Sequence, residues 1–306
     1  MVETQRVSTA GDDVARRVRL LKSADWEWRH RGPTPGAVRA FGVRERSLRR
    51  LQGGQGHAWT DGRLVLKPAG CVPEHTWKCE VYAAWTAHDE VRVPEPLLPR
   101  GGDRLDWTVD GWGAHVLVPG HDLELPRDIE RVKVASDAFH AAVRDLPRPD
   151  FLDARDDPWS FGDRLAWGEA EPIGDAATLE VVERLRAHLA PVTDPDHVIH
   201  GDMLPNVLVA DGLAPAVIDW PPYFRPAGMA NAIAVTDAVT FRGAPMALLD
   251  EWETGEDWPQ LLVRAILYRL GPTGVFALHN RLMGSLVTHV ERLGPVVHAV
   301  LARRTA

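Results

Sequence analysis

Three side chains that bear oxygen stand next to short apolar segments in the middle of the chain. Asp202 follows one segment, Asn206 opens the next, and Asp219 ends the last. The segments are predicted strands at 198–200, 207–209 and 216–218. Because strand ends are rigid, these side chains can be held close together. Mg²⁺ prefers a few protein oxygen ligands, a role that suits Asn206 and Asp219. Asp202 is then free to accept a proton from a substrate hydroxyl.

The same stretch carries three motifs in a fixed order: His200-Gly201-Asp202, then Asn206, then Ile218-Asp219-Trp220. This set resembles the signature of the aminoglycoside phosphotransferase family, the small-molecule relatives of protein kinases. The resemblance covers about residues 45–240. It implies an α+β, two-lobed protein-kinase-like fold with a small antiparallel-sheet N-lobe and a larger, mainly helical C-lobe. The expected lobes are residues 1–118, which bind nucleotide and carry an extra helical segment at about 1–40, and residues 119–306, with the catalytic loop and acceptor site.

A glycine-rich turn stands where the family has its phosphate-covering loop. The resemblance implies that Gly54, Gln55 and Gly56 contact the donor phosphates. Such turns are common between strands, so the glycines alone are weak evidence for phosphate. The sequence His57-Ala58-Trp59 also stands where a third glycine is expected, which leaves the phosphate contacts less defined.

Lys67 ends the third predicted strand and matches the phosphate-pairing lysine of the family. Glu80, on the helix that follows, is the best-placed partner for Lys67, with Glu74 and Glu90 as nearby alternatives. Lysine is rare in this chain. Only four of the 35 basic residues are lysines: Lys22, Lys67, Lys78 and Lys133. A compact ammonium beside phosphates explains the choice of lysine at position 67.

The hydrophobic pattern predicts the elements that position these residues. We expect a three-stranded meander (47–52, 57–60, 64–67) with a hairpin at Asp61-Gly62, then a helix bearing Glu80, Val81, Ala84 and Trp85, and strands at Trp107–Val109 and His115–Val118. Helices follow over 129–146, where the apolar stripe ends at Pro147, over 176–189, and from about Met229 onward. A hinge between the lobes is expected near residues 117–121.

The catalytic loop departs from the kinase pattern in one respect. Kinases place four residues between the catalytic Asp and the Asn. Here only Met203, Leu204 and Pro205 intervene, so the loop is one residue shorter. The departure leaves the role of Asp202 intact and puts the metal role of Asn206 in question.

The family resemblance implies an O-phosphotransferase that uses Mg²⁺ and either ATP or GTP to phosphorylate a hydroxyl of a small molecule, such as an antibiotic or another natural product. Residues 241–306 carry six acids and seven arginines, a balance that favours a less cationic acceptor than an aminoglycoside. Two alternatives stay open. One is a non-catalytic kinase-like nucleotide-binding module, and the other is a metal-dependent hydrolase that uses His200, Asp202 and Asp219.

Composition excludes several other classes of protein. A net charge of −8 and a pI near 5.9 argue against a nucleic-acid partner. Cys71 and Cys79 are the only cysteines, which argues against a disulfide framework and suits a reducing compartment. The N-terminus lacks a signal-peptide pattern, and no apolar run approaches the ~18 residues needed to span a bilayer, so a cytoplasmic protein that does not contact a membrane is expected. The oligomeric state is left open, with a monomer as the simplest case.

Overall fold

The computed structural model describes residues 32–51, 56–101, 106–278 and 287–303. Contacts divide the chain into two compact units. We call the described parts of 26–154 and 194–248 the strand-rich unit. The described parts of 155–193 and 249–306 form the helical unit. Both units are discontinuous in sequence. The lobes predicted at 1–118 and 119–306 stay a prediction, and so does the hinge between them.

The described residues form short strands and longer helices. The strands are β1 (Arg49–Arg50), β2 (Trp59–Thr60), β3 (Leu64–Pro68), β4 (Pro96–Leu97), β5 (Trp112–Val116), β6 (His121–Asp122), β7 (Asp196–His200), β8 (Val207–Val209), β9 (Ala216–Val217) and β10 (Pro222–Pro226). The α-helices are α1 (Pro35–Ala40), α2 (Val72–Ala83), α3 (Ile129–Val143), α4 (Phe151–Ala154), α5 (Pro158–Ala166), α6 (Ala176–Arg186), α7 (Gly228–Phe241), α8 (Leu248–Glu251), α9 (Trp258–Leu278) and α10 (Val287–Ala302).

The first five strands make one antiparallel sheet in the order β1-β2-β3-β5-β4. The predicted meander is confirmed, and its hairpin is stabilised by the Asp61 carboxylate, which accepts hydrogen bonds from the backbone N–H groups of Arg63 and Leu64 at 2.9 and 2.8 Å. One face of the sheet packs on α1. This sheet places β3, and therefore Lys67, beside β5.

Two strand predictions in this region need correction. The fifth strand covers Trp112–Val116, a few residues before the predicted segment, and residues 107–109 contribute only a single bridge, from Val109 to Trp112. Strand β4 was not predicted, because two residues that include a proline carry no alternating pattern. Helix α2 ends at Ala83, so Ala84 and Trp85 lie beyond it.

The remaining strands form two small sheets around the motif residues. Strand β7 pairs with β10, and β8 lies between β6 and β9, all antiparallel. Strands β7, β8 and β9 match the predicted ones to within two residues at each end, whereas β6 and β10 were not predicted. Helix α3 buries Ile129, Val132, Ala135 and Phe139 on one face, as the apolar stripe predicts, and ends at Val143.

The helical unit has α9 as its central element. This helix has the length and hydropathy of a membrane span, which the sequence prediction overlooked. However, 78% of its apolar window is buried within the described protein, as in the core helix of a compact unit. It packs on α5, where Gly271 of α9 faces Gly162 of α5 and the two backbones approach closely.

This close approach predicts an asymmetric response to Gly→Ala changes. A Cβ at Gly271 would overlap the Cα of Gly162, so Gly271→Ala should lower the free energy of unfolding by about 1–3 kcal/mol. A Cβ at Gly294 of α10 would meet nothing within 4 Å, so Gly294→Ala should raise the free energy of unfolding by up to about 1 kcal/mol. Urea denaturation of both variants provides the test. Equal effects of the two substitutions would contradict the packing described here.

Candidate active site

The structure brings the three predicted oxygen-bearing residues together. The side-chain nitrogen of Asn206 donates to the Asp202 backbone carbonyl at 2.7 Å and to its carboxylate at 3.3 Å. The backbone carbonyl of Asn206 accepts a hydrogen bond from Ile218, the residue before Asp219, at 2.9 Å. The shorter loop therefore keeps Asn206 beside both acidic positions. Because its nitrogen is committed to Asp202, the oxygen Oδ1 is the atom of Asn206 that can ligate a cation.

His200 connects the two acidic segments through its imidazole. Its Nδ1 accepts from the backbone N–H of Asp202 at 3.1 Å, so its Nε2 carries the proton and donates to the Ile218 carbonyl at 3.0 Å. The side chain is fully buried, and this burial lowers the pKa of His200 to about 4. Both ring nitrogens of this buried histidine are occupied by backbone partners, so His200 has a structural role and the structure does not favour a hydrolase that uses it as a base.

A second histidine, which sequence reasoning missed, supports the first. His140 of α3 accepts a hydrogen bond from the backbone N–H of His200 at 3.0 Å through its Nε2. Its Nδ1 then donates to the Ser136 carbonyl at 2.7 Å. The available signal was a polar side chain next to the apolar stripe of α3, one residue after Phe139. Such a residue on a buried helix face requires a hydrogen-bond partner.

Asp219 combines an uncommon backbone conformation with a strong ion pair. Its φ of 57° is left-handed, a conformation that non-glycine residues adopt rarely and often at functional sites. Its Oδ1 lies 2.9 Å from Nζ of Lys67 on β3. The Lys67 ammonium is the main cause that lowers the pKa of Asp219 to about 2, so the carboxylate is ionised at neutral pH. About half of the side chain is exposed, so ligands can reach it.

The residue after Asp219 is anchored in the core. Trp220 is 1% exposed and donates from its indole nitrogen to the Ile199 carbonyl at 3.0 Å. Its ring contacts those of three aromatic residues: Trp77, Tyr82 and Phe139. The motif Ile218-Asp219-Trp220 therefore places an exposed carboxylate between two firmly held neighbours.

The predicted partner of Lys67 does not contact it in this structure. Glu80 is exposed, and among the described residues no ion pair joins Glu80 to Lys67. Glu74 instead pairs with Lys78 at 2.8 Å, and Lys78 also reaches the Trp220 carbonyl. Glu80 lies two residues after Lys78 and therefore on the far side of α2.

The glycine-rich turn lies partly outside the described residues. Gly54 and Gln55 fall in the gap at 52–55, so their predicted phosphate contacts stay a prediction. Gly56 is described: its φ is 67°, and a Cβ there would meet nothing within 4 Å. The backbone at Gly56 thus has a conformation that favours glycine and leaves open space above it.

Comparison with known proteins identifies the family. The family model described as "Phosphotransferase enzyme family" (APH) matches residues 59–224. This span covers more than half of the chain and includes Lys67, Asp202, Asn206 and Asp219. The chain belongs to this phosphotransferase family. The predictions of the family and of a phosphotransferase enzyme are therefore confirmed.

Solved structures of phosphotransferases share the kinase-like fold, as predicted. A thermostable mutant of aminoglycoside phosphotransferase APH(4)-Ia in its apo form is 19% identical, with a TM-score of 0.55 over 86% of this chain and 97% of that one. Its ternary complex with AMP-PNP and hygromycin B is 18% identical, with a TM-score of 0.53 over 85% and 96%. An aminoglycoside phosphotransferase from Alicyclobacillus acidocaldarius is 14% identical, with a TM-score of 0.54 over 90% and 96%. A search of curated proteins gives no match.

The buried histidines of the phosphotransferase predict how its stability changes with pH. Burial lowers the pKa values of His115, His140 and His200 to about 4, from the ordinary 6.5. Between these two values the unfolded chain binds protons on these residues and the folded chain does not. The free energy of unfolding should therefore fall as the pH is lowered from 6.5 toward 4, by about 1.4 kcal/mol per pH unit for each histidine.

Urea unfolding at pH 7.5, 6.5 and 5.5 measures this dependence. The midpoint should fall a little between the first two values and about three times as much between the second and the third. If the urea midpoint is the same at pH 5.5 as at pH 6.5, these histidines are charged or exposed in the folded protein.

Proposed function

We propose that this phosphotransferase moves the γ-phosphoryl group of a nucleoside triphosphate to a hydroxyl of a small molecule, with Asp202 as the residue that accepts the hydroxyl proton. The observation that carries the proposal is the convergence of Asp202, Asn206, Asp219 and Lys67: Asn206 bonds to Asp202 and to the residue before Asp219, and Lys67 pairs with Asp219. The convergence unites a proton acceptor, two oxygen ligands and a cation, which are the groups that phosphoryl transfer requires.

Asp202 acts on the acceptor. Its backbone is fixed by His200, and its carboxylate accepts a hydrogen bond from Asn206, so its orientation is set before substrate binds. As the acceptor oxygen forms a bond to the γ-phosphorus, its proton passes to the Asp202 carboxylate. The bond between that phosphorus and the bridging oxygen breaks, and the donor leaves as a nucleoside diphosphate.

Magnesium fits the remaining two oxygen-bearing residues. Asp219 supplies an ionised carboxylate and Asn206 an amide oxygen. Among the described residues no group of three or more His, Cys, Asp or Glu could hold a metal ion. Mg²⁺ needs no such group, because it commonly takes one or two carboxylates and completes its shell with phosphates and water. When bound, it neutralises charge on the donor phosphates.

Lys67 is the proposed contact for the donor phosphates. Its ammonium pairs with Asp219 and its side chain is 29% exposed, so it would be accessible to a phosphate of the donor as a second anionic partner. Gly54, Gln55 and Gly56 are proposed to cover the phosphates from the glycine-rich turn. No ion pair joins Glu80 to Lys67 among the described residues, and we do not assign Glu80 the role of its partner.

The proposed acceptor is an antibiotic or another natural product with a free hydroxyl. The similar complex with AMP-PNP and hygromycin B shows that this fold can hold a nucleotide analogue and such an antibiotic together. The near balance of charges in residues 241–306 favours an acceptor with fewer positive charges than an aminoglycoside, such as a nucleoside or a glycosylated compound.

Substitution of the proposed base tests the function. Asp202→Asn keeps the size of the side chain but removes the proton acceptor, so kcat should fall by about 10²- to 10⁴-fold. The assay incubates the protein with Mg²⁺, ATP or GTP and a panel of hydroxylated antibiotics and metabolites, and measures phosphorylated product by mass spectrometry.

The control is Asp211→Asn, an exposed acid in the turn between β8 and β9, which should leave kcat unchanged. Near-normal turnover of the Asp202→Asn variant would contradict the role of Asp202. Thermal stabilisation of the wild-type protein by nucleotide without any product would favour the nucleotide-binding module instead.

A further inference from the structure

Lys78 makes two contacts that a solvated helix lysine does not make. Its Nζ lies 2.8 Å from the carboxylate of Glu74, one turn earlier on α2, and 3.0 Å from the backbone carbonyl oxygen of Trp220. The side chains of Lys78 and Glu74 are only 23% and 15% exposed. Exposed pairs of this spacing contribute little to stability and have no tertiary partner. Lys78 instead joins α2 to a segment that is remote in the sequence.

The carbonyl that Lys78 contacts is that of Trp220, in the Trp220–Pro221 peptide, one residue beyond Asp219. On the other side of Asp219, the carbonyl of Ile218 accepts a hydrogen bond from Nε2 of His200. The left-handed backbone of Asp219 therefore lies between two carbonyl groups that are each held by a side-chain donor. This conformation is costly for a residue with a Cβ, so it persists only where surrounding contacts fix it.

The Trp220 ring does not by itself fix this carbonyl. The indole is held in the core by its hydrogen bond to Ile199 and by aromatic contacts, but a peptide can still rotate about an anchored side chain. The Lys78 ammonium fixes the orientation of the peptide, and Glu74 fixes the ammonium. A hydrogen bond that involves a charged group contributes more than a neutral one, which suits Lys78 to this task.

We propose that Lys78 is a positioning residue that holds the Trp220 carbonyl, in the peptide after Trp220, against α2 and thereby sets the direction of the neighbouring Asp219 carboxylate. The inference rests on the proposed function for its catalytic consequence, because the Asp219 carboxylate is the proposed metal ligand. Lys78 itself contacts neither donor nor acceptor in this account.

Lys133 offers a matched control. It forms an ion pair of the same i, i+4 spacing with Asp137 on α3, at 2.6 Å, with side-chain exposures of 29% and 54%. Lys133→Met removes a helix pair and one positive charge, as Lys78→Met does, and leaves the Asp219 segment untouched. A difference between the two variants therefore reports the contact with Trp220.

Hydrogen exchange of the peptide that contains Asp219 and Trp220 tests the positioning directly and does not depend on activity. In Lys78→Met its amides should exchange about tenfold faster than in the wild type, since loss of a charge-assisted hydrogen bond has an effect of that order. Lys133→Met should match the wild type. Equal exchange in Lys78→Met and Lys133→Met would overturn the proposal.

Kinetics give the second readout. The kcat of Lys78→Met should fall about tenfold or more while the KM for the acceptor holds, and Lys78→Arg, which keeps a charged donor, should lie between Lys78→Met and the wild type. A Lys78→Met variant with wild-type kcat would contradict the proposal.

If Lys78→Met does not fold, Glu74→Gln provides a second test. It keeps the lysine but releases its ammonium, and should also speed hydrogen exchange at Asp219. Unchanged exchange in Glu74→Gln would then overturn the proposal.

The two proposals fail in different ways. If the wild-type protein phosphorylates no acceptor, the proposed function fails, and hydrogen exchange still decides whether Lys78 positions Asp219. If the wild type transfers phosphate and Lys78→Met behaves like Lys133→Met in both measurements, only the role of Lys78 is wrong.

Discussion

The candidate active site depends on one buried imidazole. His200 accepts a hydrogen bond from the backbone of Asp202 and donates one to the carbonyl before Asp219, so a single ring fixes the spacing of the two acids. Its complete burial keeps it neutral, and only the neutral form can accept and donate at the same time. His140 secures the backbone of His200 from the side of α3. The proposed proton acceptor and the proposed metal ligand are thereby connected through rigid core elements.

Several charged groups meet near Asp219, at one end of this connection. Asp219 has lysines on both sides: Lys67 contacts its carboxylate, and Lys78 contacts the carbonyl of the next residue. Both cations help to keep the carboxylate ionised, and Lys67 has the largest effect on its pKa. Two of the four lysines in a chain that otherwise uses arginine thus meet at one turn. A single ammonium can serve two acceptors in different directions, which the planar guanidinium does less readily.

The sequence predicted the parts of this site that strand ends determine. Asp202, Asn206 and Asp219 flank short apolar strands, and such strands bring their ends together whatever their exact pairing. Lys67 was predicted on the third strand because the meander has a clear hairpin signal. The partner on α2 could not be predicted: Glu74, Glu80 and Lys78 all look like surface residues of a helix, and only tertiary packing shows which face meets Trp220. The start of β5 likewise depends on pairing with β3, and the two-residue strand β4 on pairing with β5, rather than on local pattern.

The central claim is that this site transfers a phosphoryl group to a hydroxyl. Phosphorus NMR of the wild-type protein with Mg²⁺, ATP or GTP and a hydroxylated acceptor follows both sides of the reaction in one sample. The account predicts that the γ-phosphate signal of the nucleotide declines while a phosphate-ester signal of the acceptor grows in equal amount. Growth of inorganic phosphate alone, or an unchanged nucleotide with every acceptor, would contradict it.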